Sequence, residues 1–342
     1  MTVGEQFRNL IEGNRFNGML EGLYDAIGAV PAYRSLVMRL VHRRIEQVRR
    51  HRSYSLMIEL SSVCNARCVF CPHPTMERAK RIMDNDLFEL IVSRIIEEKI
   101  EPTLIDLFNV GEPLTDARLF QRIRRLKEAF PSANVRITTN FALATPGIIE
   151  ELLASGLDKI QISLNAASRD IHREIMGLNY EKTVRNIEML LERRQATQSP
   201  LYVTLSFVLC EQNRGQERDF MRTWKNRVDR VLLQRAIDWG GTIDIRSPYA
   251  GSPYPCNDLF ERIVILSNGE FGLCCQDYRG LIRSNVRDTS ILAAFHSRPF
   301  REIREVHLRG DISSLQMCRH CFGVYSNGTN WLLLNARAPK EF

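Results

Sequence analysis

Apolar and polar positions follow two periods along this chain. Short runs rich in β-branched residues fall at Ser55 to Leu60, Thr103 to Val110, Asn134 to Thr139, Lys159 to Leu164, Tyr202 to Leu209 and Arg230 to Leu233. Between them lie segments whose apolar residues recur every three or four positions: Asp86 to Glu98, Asp116 to Phe130, Pro146 to Ala154, Ser168 to Arg194 and Gln216 to Asn226. The first pattern predicts strands and the second amphipathic helices. Breakers and caps stand at the junctions: Asp84 and Asn85, Pro102, Pro131, Thr145 before Pro146, and Ser155-Gly156. Repeated strand–helix units predict an α/β fold with a parallel sheet and functional groups at the carboxyl ends of its strands. Periodicity by itself fits a partial barrel and a doubly wound sheet equally.

The pattern changes at both ends. Near the start, Leu36, Val37, Leu40, Val41, Ile45 and Val48 form one side of a predicted helix, opposite Arg39, Arg43, Arg44, Arg49, Arg50 and Arg52. Such a basic helix suits a membrane surface, an acidic partner, or the solvated side of a helix that covers the sheet. From about Gly241 the helices shorten, and Glu261 to Cys275 reads as a hairpin turning at Asn268-Gly269, a pair that favours a type I′ turn. The expected organisation is a helical segment over 1–52, an α/β domain over 53–240, a small α+β module over 241–330 and a tail over 331–342.

With 342 residues, 44% of them hydrophobic, the chain can bury one large core or a core plus a small module. No run reaches the roughly 18 apolar residues that span a bilayer, and the first residues, with Glu5 and Arg8, lack a signal-peptide apolar stretch. A cytoplasmic protein without a transmembrane segment is expected. The 47 basic and 40 acidic residues leave +7, which favours anionic partners without choosing among a phosphorylated substrate, nucleic acid and an acidic reductase.

The nine cysteines carry the chemistry. Such a count suits metal clusters in a reducing compartment better than a disulfide framework. Cys64, Cys68 and Cys71 stand together after the first strand; Cys256, Cys274, Cys275, Cys318 and Cys321 form a late set; Cys210 lies between. Two metal sites are implied. Three closely spaced thiols suit an iron–sulfur cubane whose fourth iron is left to bind a small molecule. A structural zinc site would need a fourth ligand, and His73 is the nearby candidate.

The run Cys64-Asn-Ala-Arg-Cys68-Val-Phe-Cys71, with its C-x3-C-x2-C spacing and an aromatic residue before the third cysteine, resembles the signature of the radical S-adenosylmethionine (SAM) superfamily. That resemblance implies a partial (β/α)6 barrel in which the SAM amino and carboxylate groups chelate the unique iron of a [4Fe–4S] cluster. One electron then cleaves SAM, and the 5′-deoxyadenosyl radical takes hydrogen from substrate. It also implies roles for particular residues. Phe70 would pack near adenine. Asn109-Val-Gly-Glu-Pro113 resembles the motif that holds the methionine amino group, which assigns Gly111 and Glu112, with Val110 where the family more often has glycine. Asn140, Ser163 and Asn165 fall at strand ends that resemble ribose or carboxylate contacts, although asparagine also suits a plain strand terminus.

The late cysteines resemble the SPASM and twitch auxiliary-cluster modules appended to radical SAM barrels. Five candidates imply one auxiliary [4Fe–4S] cluster, held by Cys256, Cys274, Cys318 and Cys321. Adjacent residues on a strand point to opposite faces, so one of Cys274 and Cys275 ligates; related modules favour Cys274, with Cys275 as the swap. The spare Cys275, and Cys210 at the end of the fifth strand, are candidate catalytic hydrogen donors, or small core residues. The expected substrate is a small molecule such as an aminoglycoside, aminocyclitol or nucleotide-linked sugar. Electron transfer to the auxiliary cluster would give alcohol oxidation; hydrogen return from a thiol would give epimerisation. The expected partner is a flavodoxin or ferredoxin reductase, and no nucleic acid. The alternatives are a peptide or sulfatase-type maturase, which in many relatives carries a winged-helix domain that the first 52 residues do not resemble, and a non-catalytic electron carrier.

Overall fold

The computed structural model describes residues 31–245, 254–319 and 321. The start of the expected N-terminal segment, most of the span 241–253 and the whole tail 331–342 lie outside the described residues. The first part runs α1 (Pro31–His51), β1 (Ser53–Ile58), α2 (Asn85–Glu97), β2 (Glu101–Asp106), α3 (Leu119–Ala129), β3 (Asn134–Thr139), α4 (Pro146–Ala154), β4 (Lys159–Ser163), α5 (Arg169–Met176), α6 (Tyr180–Ala196), β5 (Tyr202–Leu209), α7 (Glu217–Trp224) and β6 (Arg230–Arg235). The second runs α8 (Asp258–Glu261), β7 (Arg262–Ile265), β8 (Glu270–Gly272), β9 (Ile282–Asn285), α9 (Ile291–Phe295) and α10 (Arg298–Arg309).

The strands are ordered β6-β5-β4-β3-β2-β1-β7-β8-β9 in one sheet. Each of β1 to β6 pairs in parallel with its sequence neighbour. The strand order therefore never reverses within this half, which excludes the doubly wound alternative. The sheet is open, because β6 and β9 are its outer strands. Strand alternation divides the side chains between two faces. Leu56, Ile58, Ile105, Val135, Ile137, Ile160, Ile162, Val203, Leu205 and Phe207 join helix residues such as Leu87, Ile91, Ile123, Leu126, Ile149 and Leu152 in one buried core. Each such side chain contributes ~1.5–3 kcal/mol on burial. The opposite face carries Met57, Asp106, Arg136, Thr138, Gln161, Ser163, Thr204 and Ser206. There the Arg136 guanidinium grips Asp106 through two N–H groups, and Arg262 lies 3.8 Å from the same carboxylate.

Local signals set the boundaries. Asp84 Oδ1 accepts from Leu87 N at 2.7 Å at the start of α2, and Asn179 Oδ1 accepts from Lys182 N at 2.8 Å at the start of α6. The single helix expected over Ser168 to Arg194 is in fact α5 and α6. Gly177, at φ 68°, closes the first in a left-handed cap, and Asn179 opens the second. The strand expected over Thr103 to Val110 ends at Asp106, so Asn109 to Pro113 lies in the loop beyond it.

β7 pairs in parallel with β1, and β8 and β9 continue antiparallel, so the second part extends the first sheet. The β7–β8 turn is not type I′. Gly269 is left-handed at φ 86° while Asn268 is not among the positive-φ residues, and Gly269 N donates to Leu266 O at 2.8 Å. That is a type I turn closed by a glycine bulge, stabilised by Asn268 Oδ1 accepting from Glu270 N at 3.1 Å. On α1, Val37, Val41 and Val48 are buried in the core, Arg44 pairs with Glu261 at 3.0 Å, and Arg39, Arg43, Arg49 and Arg50 are exposed, as is Arg52 just beyond the helix.

A thiol-lined candidate active site at the carboxyl edge of the sheet

Because β1 to β6 run the same way, their carboxyl ends share one edge, and the strand ends and loops there carry every early candidate. The cysteine loop after β1 crosses this edge. At one end, Asn140 Nδ2 donates to Asn65 Oδ1 at 2.8 Å and reaches Cys64 Sγ at 4.0 Å, while Ala66 N donates to the same sulfur at 3.4 Å. At the other end, Cys68, Phe70 and Cys210 pack against Ala166, Ile175 and Met176. Backbone bonds pin the middle: Arg67 N to Met176 O and Val69 N to Ile175 O, both at 2.9 Å. The loop thus spans from the β3 end to the β4 and β5 ends.

Glu112 is 1% exposed, yet both carboxylate oxygens are occupied. Oε1 accepts from Thr139 Oγ1 at 2.6 Å and Leu114 N at 3.0 Å, and Oε2 accepts from Asn140 N at 2.7 Å. Oε2 therefore keeps one lone pair for a further donor. Burial pushes the carboxyl up to about 6, against the pull of these three bonds. Gly111 allows the close approach behind this: a Cβ there would lie 1.8 Å from Ser61 O. Glu112 N donates to Val63 O at 2.8 Å, which ties the β2 loop directly to the cysteine loop.

The remaining edge residues are more inwardly engaged. Asn165, left-handed at φ 58°, accepts from Val208 N at 2.9 Å and donates to Met176 Sδ at 3.4 Å. Its amide thus links the β4 and β5 ends. Ser163 Oγ meets Ser206 Oγ at 3.2 Å. Cys210 N donates to Asn213 Oδ1 at 2.9 Å, and burial raises the Cys210 thiol.

The thiols of the triplet are all held above the usual range by burial, Cys64 to about 11. Neighbouring thiols add to the rise at Cys64 and Cys68. Three half-buried sulfurs within each other's field, with N–H groups directed at Cys64, are a donor set that fits an iron–sulfur cluster, whose positive irons would reverse this electrostatic penalty. Among the described residues no three His, Cys, Asp or Glu side chains converge on a single ion; a cubane distributes its thiolates over separate irons. His73 is turned aside, its Nε2 within 2.9 Å of Ser62 O.

The late cysteines gather in the second part. Cys256 and Cys321 pack with buried Cys318 against Ile312, Leu315 and Met317, and Cys274 Sγ lies 3.9 Å from Met317 Sδ. Cys274 and Cys275 are beyond the end of β8, in the turn that follows, rather than on the strand itself. They still diverge. Cys275 packs on Met57, Val264 and Leu266, on the face opposite the helix-covered core, and lies in hydrogen-bonding reach of Asp258. Burial raises the thiols of Cys256, Cys274, Cys275 and Cys318, the last to about 12. This too is an all-sulfur donor set that fits a cluster.

Sequence reasoning missed several contributors. Arg78, seven residues after Cys71, donates to Glu59 Oε1 at 2.8 Å, Ser267 Oγ at 3.0 Å and Tyr278 O at 3.0 Å, so it staples the cysteine loop to the second part. Trp239 Nε1 donates to Phe70 O at 2.9 Å. Asn65, Gln276 and Asp258 touch thiols or their partners. None of these has a spacing or motif that marks it; only the tertiary arrangement does.

Fold and site together define an α/β protein with a thiol triplet at the carboxyl edge of a singly wound parallel sheet. The family model of the radical SAM superfamily matches residues 58–223, and that of an iron–sulfur cluster-binding domain, SPASM, matches residues 256–322. The chain belongs to the radical SAM superfamily and carries a C-terminal SPASM domain. These domains imply iron–sulfur clusters and SAM binding. A probable GTP 3′,8-cyclase of Sulfurisphaera tokodaii is 30% identical over 161 residues, 47% of this chain and 49% of that protein. The chain thus spans about half the length of that relative. BtrN, crystallised with AdoMet and 2-DOIA, has a similar fold at TM-score 0.56 and 17% identity, covering 79% of this chain and 92% of BtrN. SuiB of Streptococcus suis, bound to its precursor peptide SuiA, is similar at TM-score 0.60 and 15% identity, covering 82% of this chain and 75% of SuiB. No helix among the described residues is long and apolar enough to cross a membrane.

Proposed function

We propose that this chain abstracts hydrogen from a small-molecule substrate, an aminoglycoside, aminocyclitol or nucleotide-linked sugar, and gives alcohol oxidation or epimerisation. In this reading Cys64, Cys68 and Cys71 hold a SAM-binding [4Fe–4S] cluster, and Cys256, Cys274, Cys318 and Cys321 hold one auxiliary [4Fe–4S] cluster. When bound, the first cluster and SAM supply a one-electron cleavage that yields a 5′-deoxyadenosyl radical. The chain's own residues do the positioning. Glu112 Oε2 keeps the lone pair that an ammonium group would take, Asn140 bridges that carboxylate to Cys64, and Phe70 supplies an apolar wall beside Cys68. Ser163 and Asn165 are assigned to the same ligand, with Asn165 acting mainly as the link between two strand ends.

The observation that carries the reading is the divergence of the late thiols. Cys256, Cys318 and Cys321 lie together around Ile312 and Met317, with Cys274 Sγ 3.9 Å from Met317 Sδ, enough for one cluster, while Cys275, still within the field of Cys256, Cys274 and Cys321, packs on Met57, Val264 and Leu266. A lone second cluster suits one-electron uptake, hence oxidation; Cys275 and Cys210 are the candidate donors if the outcome is epimerisation. Likeness of fold extends both to BtrN, crystallised with 2-DOIA, and to SuiB, crystallised with a precursor peptide, so it does not divide the two substrate classes. The reductant is proposed to be a flavodoxin or ferredoxin.

Anaerobic reconstitution tests this directly. Two cubanes give about eight irons and eight sulfides per chain; about four of each removes the auxiliary site. Replacing Cys64, Cys68 and Cys71 together by Ala is expected to abolish 5′-deoxyadenosine formation. Turnover with a peptide, and none across a panel of aminocyclitols and nucleotide sugars, would move the protein to the peptide-modifying reading.

A further inference from the structure

One late sulfur has a side-chain donor. Gln276 Nε2 donates to Cys321 Sγ at 2.8 Å. The Gln276 side chain is buried, and among the described residues its Oε1 has no hydrogen-bond partner. A buried amide oxygen left this way is costly, so the orientation is maintained by what the nitrogen does. The flipped amide would set an oxygen against a thiolate, two acceptors facing each other.

The turn that presents Gln276 is rigid. Asp277, fully buried, accepts from Leu273 N at 2.8 Å, Leu281 N at 2.9 Å, Gly280 N at 3.0 Å and Arg279 N at 3.2 Å, and Asp277 N donates to Cys274 O at 3.0 Å. The amide is therefore preorganised against the sulfur. The triplet site is less well served: its side-chain donor, Asn140 Nδ2, stands 4.0 Å from Cys64 Sγ.

We propose that Gln276 is a positioning residue that raises the reduction potential of the auxiliary cluster through its N–H···S bond to Cys321. One electron enters the cluster and no bond breaks; the added negative charge resides partly on the ligand sulfurs, so a donor at Cys321 stabilises the reduced state more than the oxidised one. The inference rests on the reading of Cys256, Cys274, Cys318 and Cys321 as ligands of a second cubane.

The test is a redox titration, followed by electron paramagnetic resonance, of reconstituted full-length wild type, Gln276→Leu and Gln276→Glu, with iron and sulfide counts on each. Both variants are expected to retain wild-type iron. The auxiliary transition should move to more negative potential, further for Gln276→Glu, so that the reduced-to-oxidised ratio at a fixed potential falls several-fold while the triplet-site transition stays in place. An auxiliary transition that does not move in either variant overturns the proposal. So does loss of half the iron in both, which would make Gln276 a structural residue. Wild-type protein holding iron for one cluster overturns the reading of the second site itself, and the iron count separates that result from the others.

Discussion

Replacing Gly111 by Ala tests whether the β2 loop and the cysteine loop form one rigid assembly. The new Cβ would lie 1.8 Å from Ser61 O, 2.6 Å from Ser61 C and 2.9 Å from Ser62 Cα, all backbone atoms. A carbon and a carbonyl oxygen rest at about 3.3 Å, so the two loops must part by roughly 1.5 Å. Neither can do so freely. Ser61 Oγ is 2.7 Å from Thr115 Oγ1, Glu112 N is 2.8 Å from Val63 O, and the Glu112 carboxylate holds three donors. Overpacking costs about 1–3 kcal/mol and each broken buried bond about 1 kcal/mol more, so a destabilisation of ~3–5 kcal/mol is expected. Because an error of 1 Å in a positioned group costs about a hundredfold in rate, 5′-deoxyadenosine formation should fall by about that factor even in the protein that folds. The assay is SAM cleavage by reconstituted protein with dithionite, beside thermal inactivation. A Gly111→Ala protein with wild-type cleavage and wild-type inactivation temperature would refute the argument.

Three further outcomes follow from the same geometry. The Glu112 carboxyl, raised from 4.5 to about 6 by burial, binds its proton more tightly folded than unfolded; stability of the metal-free protein should therefore fall as pH rises from about 4.5 to 6, by ~2 kcal/mol, then level off. Urea midpoints of wild type and Glu112→Gln across that range check this, since the variant should lack the slope. Arg78→Met strands a fully buried Glu59 carboxylate and should cost about 3–5 kcal/mol in urea unfolding; a cost below 1 kcal/mol would show that the ion pair is dispensable. In deuterated water, an epimerised product carrying solvent deuterium, lost in Cys275→Ala or in Cys210→Ala, would identify the donor, whereas a ketone from all three proteins points to oxidation.

Much of the frame was legible because strand and helix periods differ so sharply here. The predicted limits of Asn134 to Thr139, Pro146 to Ala154 and Tyr202 to Leu209 coincide with β3, α4 and β5. Errors arose where a single residue overrode the period. Gly177 broke one long amphipathic pattern into two helices, and the one left-handed residue at Asn268-Gly269 made a bulged turn of a pair that favours type I′. The thiol triplet was visible as a spacing. Its supports were not, because Arg78, Asn65, Trp239 and Gln276 act across sequence separations that carry no periodic trace. The inward use of the Asn165 amide was equally hidden, since a strand-end asparagine reads alike whether it meets a ligand or a neighbouring strand.

The Arg78 staple has a consequence for how the protein is made. The loop bearing Cys64, Cys68 and Cys71 takes its shape partly from Ser267 and from the carbonyl of Tyr278, which leave the ribosome about two hundred residues later. Until those residues are made, the contacts of the loop to Glu59, Glu112, Asn140, Ile175 and Met176 can form, but the staple to the second part of the sheet cannot.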